Sequence, residues 1–391
     1  MYGISPLLLA ATLTAGADVQ TLSGKKLSGD MLGLDKQAIV LKTSAGEIRH
    51  PLSDVLQIEL PAPEVAPKGG WFDVELTDGS VLHCSQVLLK GKSAELTLVP
   101  DVSLTVPLSA VFSVLRDAHD PAVKALWQKF LPTRGRLDTV VIANGDKFDG
   151  LGGTFGDGTP AGDGIEFTLS GNGEKLTPRL SKVAGLVFVQ KPEQNAPPIL
   201  CKVTDAGRSL LVAADLALSD KGLTVTTVAG VKVDYPSATK VAKLDFSKGK
   251  LTYLSDLDPA TVDETSTEDS VFHYRRDVNL EGGPLRMAGE VYPKGLALHS
   301  RTVLTYDIGG DYRELRTVLG VDEGVVTDAR VVVTLDGDGR ELFKAEIGRK
   351  DPPRPLAVDV KGVQKLRLTV KSAGLLDLGA QVNLGDAKVS K

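Results

Sequence analysis

The sequence has little cysteine, little tryptophan and no surplus of positive charge, and these scarcities narrow the classes of protein it can be. Cys84 and Cys201 are the 2 cysteines in 391 residues. They lack the spacing of metal ligands, so they predict either one disulfide in an oxidising compartment or two separate buried thiols. The formal net charge of −5 leaves no excess of lysine and arginine to neutralise phosphates. We therefore expect no nucleic-acid partner.

The motifs of the common catalytic sites are also missing. The chain has no phosphate-binding loop, no dinucleotide fingerprint, no Gly-x-Ser-x-Gly elbow and no paired metal-ligand histidines. Its 5 histidines are scattered, and nothing singles out a carboxylate pair for glycoside hydrolysis among its 50 acidic residues. We predict a non-catalytic protein.

Turn-forming and apolar residues are abundant instead. The 41 glycines and 21 prolines, together with 42% hydrophobic residues, favour a turn-rich globular protein built mainly from strands. A chain of 391 residues exceeds the size at which one core usually keeps growing, so two or more domains are expected. The fold class predicted from these features is all-β.

The first residues are apolar but too few to span a bilayer. The run from Ile4 to Ala17 ends in Ala15-Gly16-Ala17, which suits signal peptidase, so residues 1–17 predict a signal peptide. This predicts a secreted, periplasmic or cell-envelope protein without a membrane span. Met1 to Ser5 carries no lysine or arginine, which leaves two alternatives open: a start further upstream, or an ordinary buried strand.

A unit of short strands and glycine turns recurs four times before the last third of the chain. Each copy closes on a step such as Pro-Leu-Ser followed by an apolar strand. The copies occupy residues 18–61, 71–118, 136–191 and 198–249. This order of strands resembles the Sm-like or SH3-like small barrel, so a tandem of such barrels is predicted. Their turns carry no basic and aromatic cluster, and the resemblance does not imply RNA binding.

One helix is predicted between the second and third copies, within residues 119–135. Asp120 can cap it and Pro121 suits its first position. Its apolar face is formed by Val123, Leu126, Trp127, Phe130 and Leu131. This spacing makes Trp127 a core residue and not a platform for a sugar.

Residues 250–391 are predicted to form a β-sandwich, because their apolar residues alternate with the period of strands and show no helical period. The predicted strands are Val303–Ile308, Leu315–Val321, Ala329–Leu335, Leu342–Ile347 and Leu366–Val370. The same region carries several short motifs in a fixed order. These are YLSD at Tyr253–Asp256, Pro284-Leu285, YPKG at Tyr292–Gly295, His299-Ser300, Tyr306, Tyr312, Gly320–Asp322 and the turn Asp336–Gly339.

In this order the motifs resemble the carbohydrate-binding family called NPCBM. The resemblance implies a galactose-binding-like sandwich, or jelly roll, that binds a glycan, with a galactose-type sugar as the expected ligand. The family closes with a tryptophan between acidic residues, whereas this chain has Val382 to Asp386 there.

Three residues of these motifs are candidates for the carbohydrate site. A neutral His299 can donate to one sugar hydroxyl and accept from another, or it can be a structural histidine. Tyr292 can stack on a sugar ring or fill the sandwich core. Asp322 can accept from hydroxyls or ligate calcium, or it can be a solvated or turn-capping carboxylate. Asp336 and Asp338 can ligate calcium through hard oxygens, or they can simply form a hairpin turn.

Three functions remain open at this point. The first is an exported, non-catalytic carbohydrate-binding protein. The second is a cell-envelope scaffold that contacts protein partners and has lost the sugar site together with the missing tryptophan. The third is an accessory subunit of a glycoside hydrolase, since NPCBM units often accompany glycosidases.

Overall fold

The computed structural model describes residues 15–65, 69–190, 196–265, 271–374, 377 and 379–391. The chain divides into two compact units, Met1–Ser247 and Lys248–Lys391. Strands dominate both units, so the predicted all-β class is confirmed. The described residues include no helix long and apolar enough to cross a membrane.

Each of the four repeats in the first unit contains five strands. Repeat 1 consists of β1 (Ala15–Thr21), β2 (Lys26–Leu34), β3 (Ala38–Thr43), β4 (Gly46–Pro51) and β5 (Val55–Glu59). Repeat 2 consists of β6 (Phe72–Leu76), β7 (Val81–Lys90), β8 (Ser93–Leu98), β9 (Ser103–Pro107) and β10 (Val111–Leu115). Repeat 3 consists of β11 (Asp138–Asn144), β12 (Lys147–Gly158), β13 (Ile165–Leu169), β14 (Lys175–Leu176) and β15 (Gly185–Val187). Repeat 4 consists of β16 (Cys201–Asp205), β17 (Leu210–Ser219), β18 (Gly222–Thr227), β19 (Lys232–Tyr235) and β20 (Val241–Asp245).

Strand pairing is the same in every repeat. The first four strands form an antiparallel meander, and the fifth returns to pair with the first, as β5 does with β1. The second strand carries a bulge where it pairs with the third, which bends it sharply. The step before the fifth strand is a 3-10 turn in each copy: Leu52–Asp54, Leu108–Ala110, Leu180–Lys182 and Ala238–Lys240. In repeats 1 and 2 the residue before this turn is the proline of Pro-Leu-Ser. Its fixed φ suits the extended conformation that this position adopts, so the motif marks the start of the turn.

The repeats join through their last strands. β5 pairs with β20, and β10 pairs with β15. A single hydrophobic core runs through all four repeats and includes Ile58, Val74, Phe167 and Leu244. Because the strand edges are paired with one another, the four repeats form one compact unit.

Helix α1 (Pro121–Phe130) lies where the sequence predicts a helix. The carboxylate of Asp120 accepts a hydrogen bond from the backbone nitrogen of Ala122 at 2.8 Å, which caps the first turn. Trp127 is 6% exposed and packs with Leu115 of repeat 2 and Val141 of repeat 3. Its predicted place in the core is confirmed.

The structure decides between the two alternatives for the cysteines, but it does not test the prediction for the N-terminus. Cys84 and Cys201 are both fully buried and no disulfide joins them, which is the second of the two alternatives above. Residues 1–14 of the predicted signal peptide lie outside the described residues. Ala15–Ala17 begin β1 and pair with β2. Export stays a prediction.

The second unit is a β-sandwich with a short hairpin on one outer face. Its strands are β21 (Leu251–Tyr253), β22 (Thr261–Glu264), β23 (Arg275–Arg276), β24 (Leu285–Met287), β25 (Glu290–Tyr292), β26 (Gly295–His299), β27 (Thr302–Asp307), β28 (Glu314–Gly320), β29 (Arg330–Gly337), β30 (Arg340–Gly348), β31 (Arg354–Asp359), β32 (Lys365–Ser372) and β33 (Gln381–Ser390). One sheet has the order β23-β26-β33-β28-β31, with β21 also paired to β33. The other has the order β22-β27-β32-β29-β30, and β24 and β25 form the hairpin. The core between the sheets includes Leu298, Tyr306, Leu368 and Leu384.

Candidate functional site

The outer face of β33 brings the three candidate carbohydrate residues into one row. Gln381, Asn383 and Gly385 alternate along β33, so they face the same side of the sheet. His299 is the register partner of Gln381, Asp322 accepts a hydrogen bond from Asn383, and Tyr292 packs on Gly385. At about 3.3 Å per residue the row extends over about 13 Å.

Tyr292 lies at the end of β25 and is half-buried. A Cβ added to Gly385 would stand 2.6 Å from the tyrosine ring, so glycine is needed for this close contact. The tyrosine hydroxyl donates to the carboxylate of Glu290 at 3.0 Å. Burial and this hydrogen bond raise the pKa of Tyr292. The ring therefore packs on the outside of the sheet, and not in the sandwich core.

Asp322 is 6% exposed, and protein donors surround its carboxylate. One oxygen accepts from the amide of Asn383 at 2.7 Å and from the backbone nitrogen of Arg286 at 3.4 Å. The other accepts from the backbone nitrogen of Gly324 at 3.0 Å and from Asn279 at 3.4 Å. Asp322 thus connects β33, the β24 hairpin and the loop at Asn279. This is the structural alternative predicted above, in which the carboxylate caps a turn, and here it also binds donors from outside that turn.

His299 ends β26 and is 9% exposed. Its ring stacks on Phe272, with the ring centroids 4.4 Å apart and the planes at 21°. Nδ1 lies 3.3 Å from the carbonyl oxygen of Ser300. Burial lowers the pKa of His299, although the carbonyl of Ser300 and the charge of Asp377 act in the opposite direction. The neutral ring is therefore the favoured form.

This lowered pKa predicts a pH dependence of stability. The folded state resists protonation of His299. The contribution of the neutral ring to the free energy of unfolding is therefore complete above pH 6.5, the pKa of histidine in the unfolded chain, and it is lost as the pH falls below 6.5. Urea unfolding of the second unit at pH 7 and at pH 5 measures the loss. A His299→Gln variant should flatten the profile between these pH values. His273→Gln is the matched control, because His273 is exposed, and a similar flattening there would contradict the assignment.

Phe272 is the residue that sequence reasoning missed. Its side chain is 55% exposed, so one ring face covers His299 while much of the remainder is open to solvent. An exposed aromatic ring of this kind can stack on the apolar face of a sugar. The sequence signal was weak, because a single phenylalanine before a two-residue strand has no periodic pattern around it.

Polar groups lie next to this ring pair. Arg301 follows Ser300 and forms an ion pair with Asp377, with 2.6 Å between Nε and Oδ2. The two side chains also line a shallow groove of about 370 Å³ on the adjoining sheet, together with Asp263 and Lys371. Asp377 lies close enough to His299 to act on its pKa, so this ion pair borders the histidine of the stacked rings.

The motifs YLSD and YPKG meet in the structure and set the position of β26. Lys294 forms ion pairs with Asp256 and with Asp277, the second at 2.8 Å. These two carboxylates raise the pKa of Lys294. A Cβ on Gly295 would stand 2.3 Å from the carbonyl oxygen of Leu384, so only glycine fits there. The signature lysine and glycine are thus structural, and they hold the strand that ends in His299.

Asp336 and Asp338 lie at the hairpin that joins β29 to β30. The carboxylate of Asp338 accepts from the backbone nitrogens of Gln364 at 3.0 Å and Lys365 at 2.8 Å, and these bonds lower its pKa. Across the described ranges no group of three or more His, Cys, Asp or Glu side chains has the arrangement of a metal site. Calcium at this turn stays a prediction.

Comparison with known proteins agrees with the C-terminal motifs. Residues 250–390 match the family described as NPCBM/NEW2 domain. A protein of Renibacterium salmoninarum named "Putative endo-alpha-N-acetylgalactosaminidase" is 26% identical over 109 residues. The match covers 28% of this chain and only 7% of that protein.

Two solved structures from Clostridium perfringens are also similar. One is CBM51 from GH95 in complex with methyl-galactose, 24% identical over 36% of this chain and 99% of its own, with a TM-score of 0.32. The other contains CBM51-2 in complex with GlcNAc and the INT domains of ZmpB, 21% identical over 45% of this chain and 37% of its own, with a TM-score of 0.34. By the family match, the C-terminal unit is an NPCBM domain, the carbohydrate-binding family that its motifs predicted.

Proposed function

We propose that the C-terminal NPCBM domain binds a glycan at the stacked rings of Phe272 and His299. The observation that carries this proposal is the exposed face of Phe272, held in place by a buried histidine at the end of β26. The C–H groups of a pyranose ring pack on such a face. The amide of Gln381, opposite His299, can both donate to and accept from hydroxyls.

A galactose-type sugar is the proposed ligand class. The axial C4 hydroxyl of galactose leaves one face of the ring lined by C–H groups, which suits a single exposed aromatic ring. The neighbouring Arg301–Asp377 pair offers donors and acceptors for the hydroxyls at the ring edge. The site is shallow, so the binding is weak and depends on few contacts.

Replacing Phe272 with alanine is the direct test. We expect about a tenfold or greater loss of affinity for galactose-terminated glycans, because the stacking surface is removed. Stability should change little, since the side chain is largely exposed. A glycan array followed by calorimetry on the full-length protein measures both quantities, with N-acetylglucosamine-terminated glycans tested alongside.

Val271→Ala is the matched control. Val271 is 46% exposed and precedes Phe272, but it has no aromatic face to offer. Phe272→Trp should retain or improve binding. If Phe272→Ala binds galactose as tightly as the wild type, the site lies elsewhere. If the folded wild-type protein binds no glycan on the array, the carbohydrate function itself is wrong.

A scaffold without sugar binding is the second candidate function. It is favoured by the burial of Asp322 and His299, because the carboxylate already has protein donors and the imidazole already has a stacking partner. Silence of the folded domain on the array supports this function. An accessory role beside a separate glycosidase is compatible with either outcome.

For the first unit we propose four small barrels of the Sm-like or SH3-like type in an exported, non-catalytic protein. The support is the return of each fifth strand to the first, the bulged second strand and the 3-10 turn before the fifth. A bent second strand lets a five-stranded sheet curl onto itself.

A further inference from the structure

The longest open edge of the sandwich is strand β30. The two sheets end in β23, β31, β22 and β30. β23 has only 2 residues, β22 has 4, and β31 is interrupted by Pro355, which lacks a backbone N–H. β30 has 9 residues and no proline, and in the described part of the chain it pairs with β29 alone. The backbone groups on its other side are therefore open to a further strand.

The central part of β30 has the regular geometry that strand pairing needs. A bulge disturbs the ladder near the start of β30, but from Phe343 onward β30 pairs with β29 without a shift in register. Phe343, Ala345 and Ile347 face the core of the sandwich. Lys344 and Glu346 alternate with them and are exposed on the outer face. Each face of the strand therefore offers its own set of side chains to a partner.

These five residues are complementary to a second copy of themselves. In an antiparallel pair of two β30 strands centred on Ala345, Lys344 of each copy lies opposite Glu346 of the other, and Phe343 lies opposite Ile347. Opposite charges and apolar pairs in directly opposed positions stabilise a ladder. The small side chain of Ala345 meets itself on the two-fold axis. A symmetric dimer needs a surface that fits itself in this way.

The two charged groups of this pattern are ready for a partner. Lys344 is exposed, and in the described ranges it forms no ion pair. Glu346 is held in place by Arg330, which donates to one of its carboxylate oxygens and to Asp351 at 3.1 Å. One arginine between two carboxylates leaves a net negative charge beside Glu346. A carboxylate already fixed in position loses little conformational freedom when a lysine binds it.

The charged residues at the ends of β30 are compatible with the same register. Arg349 follows β30 at the end where Glu341 of the other copy lies, and these charges are opposite in sign. Arg340 would face Lys350, but Asp328 already balances the charge of Lys350, with 2.6 Å between Nζ and Oδ2. The ends of the strands therefore do not repel each other strongly.

Phe343 is the apolar side chain that gains most from a second copy. It is half-buried, and the guanidinium carbon of Arg354 lies 5.4 Å from the centroid of its ring. Pairing brings Ile347 of the other copy beside the open edge of this ring. Apolar surface is then removed from water on the inner face, while the ion pairs form on the outer face.

We propose that two copies of the protein associate through their β30 strands, in an antiparallel register centred on Ala345. One continuous sheet then crosses the two-fold axis, with an ion pair from Lys344 to Glu346 in each direction. Main-chain hydrogen bonds of the added strand supply affinity, and the side-chain pairs fix the register. The association is independent of glycan binding, since His299 lies on the other sheet.

Analytical ultracentrifugation of the full-length protein, at micromolar to submillimolar concentrations, tests the proposal. The wild type should show a monomer–dimer equilibrium. K344E should raise the dissociation constant about tenfold or more, because like charges are then opposed in both directions. E346K should have the same effect. An equimolar mixture of the two variants should dimerise again, since opposite charges face each other at both positions of the mixed pair.

Lys371→Glu is the matched control, because Lys371 is an exposed lysine on β32, inside the same sheet. It should dimerise as the wild type does. Thermal unfolding followed by circular dichroism verifies that each variant is folded.

A cysteine at the two-fold axis tests the register. A345C should form an intermolecular disulfide on mild oxidation, because opposed Cα atoms in a ladder stand about 4.5–5.5 Å apart. Cys84 and Cys201 are buried, so they do not compete. K371C measures the rate of chance collisions.

Four results would overturn the proposal. They are a wild type that stays monomeric over the whole range, a K344E variant that dimerises normally, a mixture of folded K344E and E346K that stays monomeric, and an A345C variant that cross-links no faster than K371C. The first result excludes the dimer itself. The other three would place the contact elsewhere on the protein or in another register.

Discussion

Replacing Asp322 with asparagine should lower the free energy of unfolding of the second unit by about 2–4 kcal/mol, because hydrogen bonds to a buried carboxylate are lost. The new amide would place donor hydrogens against the amide of Asn383, which is 2% exposed and has Asp322 as its acceptor at 2.7 Å. The backbone nitrogen of Arg286 donates to the same oxygen as Asn383 and would also face the new amide, whereas Gly324 would keep the remaining oxygen as its acceptor. A buried donor without an acceptor is the costly part of this change.

Hydrogen exchange measured by mass spectrometry as a function of urea is the suitable readout. Both tryptophans of the chain, Trp71 and Trp127, lie in the first unit, so tryptophan fluorescence does not report on the second. We expect the hairpin formed by β24 and β25 to lose protection first, because Asp322 anchors it through the backbone of Arg286.

Asp307→Asn is the matched control, since Asp307 is an exposed aspartate on β27 of the same unit. Its effect should stay within about 0.5 kcal/mol. An Asp322→Asn variant that keeps full stability but no longer binds glycan would assign Asp322 to the ligand, against the structural role argued here.

Replacing Trp127 with alanine should cost the first unit about 3–5 kcal/mol, the usual range for a buried tryptophan. Trp127 is the one buried side chain of α1, and it fills the space between Leu115 of repeat 2 and Val141 of repeat 3. A Cβ on Gly185 would stand 2.9 Å from the indole ring, so the backbone of β15 packs directly against it. The variant leaves a cavity at the junction of two repeats.

Thermal unfolding followed by circular dichroism measures this loss. For a unit of this size the transition temperature should fall by roughly 10 °C. Lys129→Ala is the control, because it lies on the exposed side of the same helix and alanine is a good helix former. A loss below about 1 kcal/mol for Trp127→Ala would show that α1 does not hold repeats 2 and 3 together.

Local sequence patterns determined much of the secondary structure. The alternation of apolar residues predicted the strands of the sandwich, and Asp120, Pro121 and the face containing Trp127 predicted α1. The repeated Pro-Leu-Ser step marked the turn before the fifth strand of repeats 1 and 2. These features depend on neighbours in the chain, so their physical causes are visible in the sequence.

Long-range contacts decided what the sequence left open. Repeats that look separable share one core, because the pairing of β5 with β20 and of β10 with β15 depends on strands far apart in the chain. The choice between two thiols and a disulfide for Cys84 and Cys201 was likewise decided by where the fold buries them.

For the candidate site, the sequence determined the family, and the tertiary structure determined the roles of the residues. The motifs named Tyr292, His299 and Asp322 as a group, and the outer face of β33 does bring them into one row. Only the packing showed that Asp322 is enclosed by protein donors and that Phe272 presents the exposed ring. Burial and stacking depend on residues that are distant in sequence, so no local pattern could distinguish a side chain that holds the fold from one that meets the ligand.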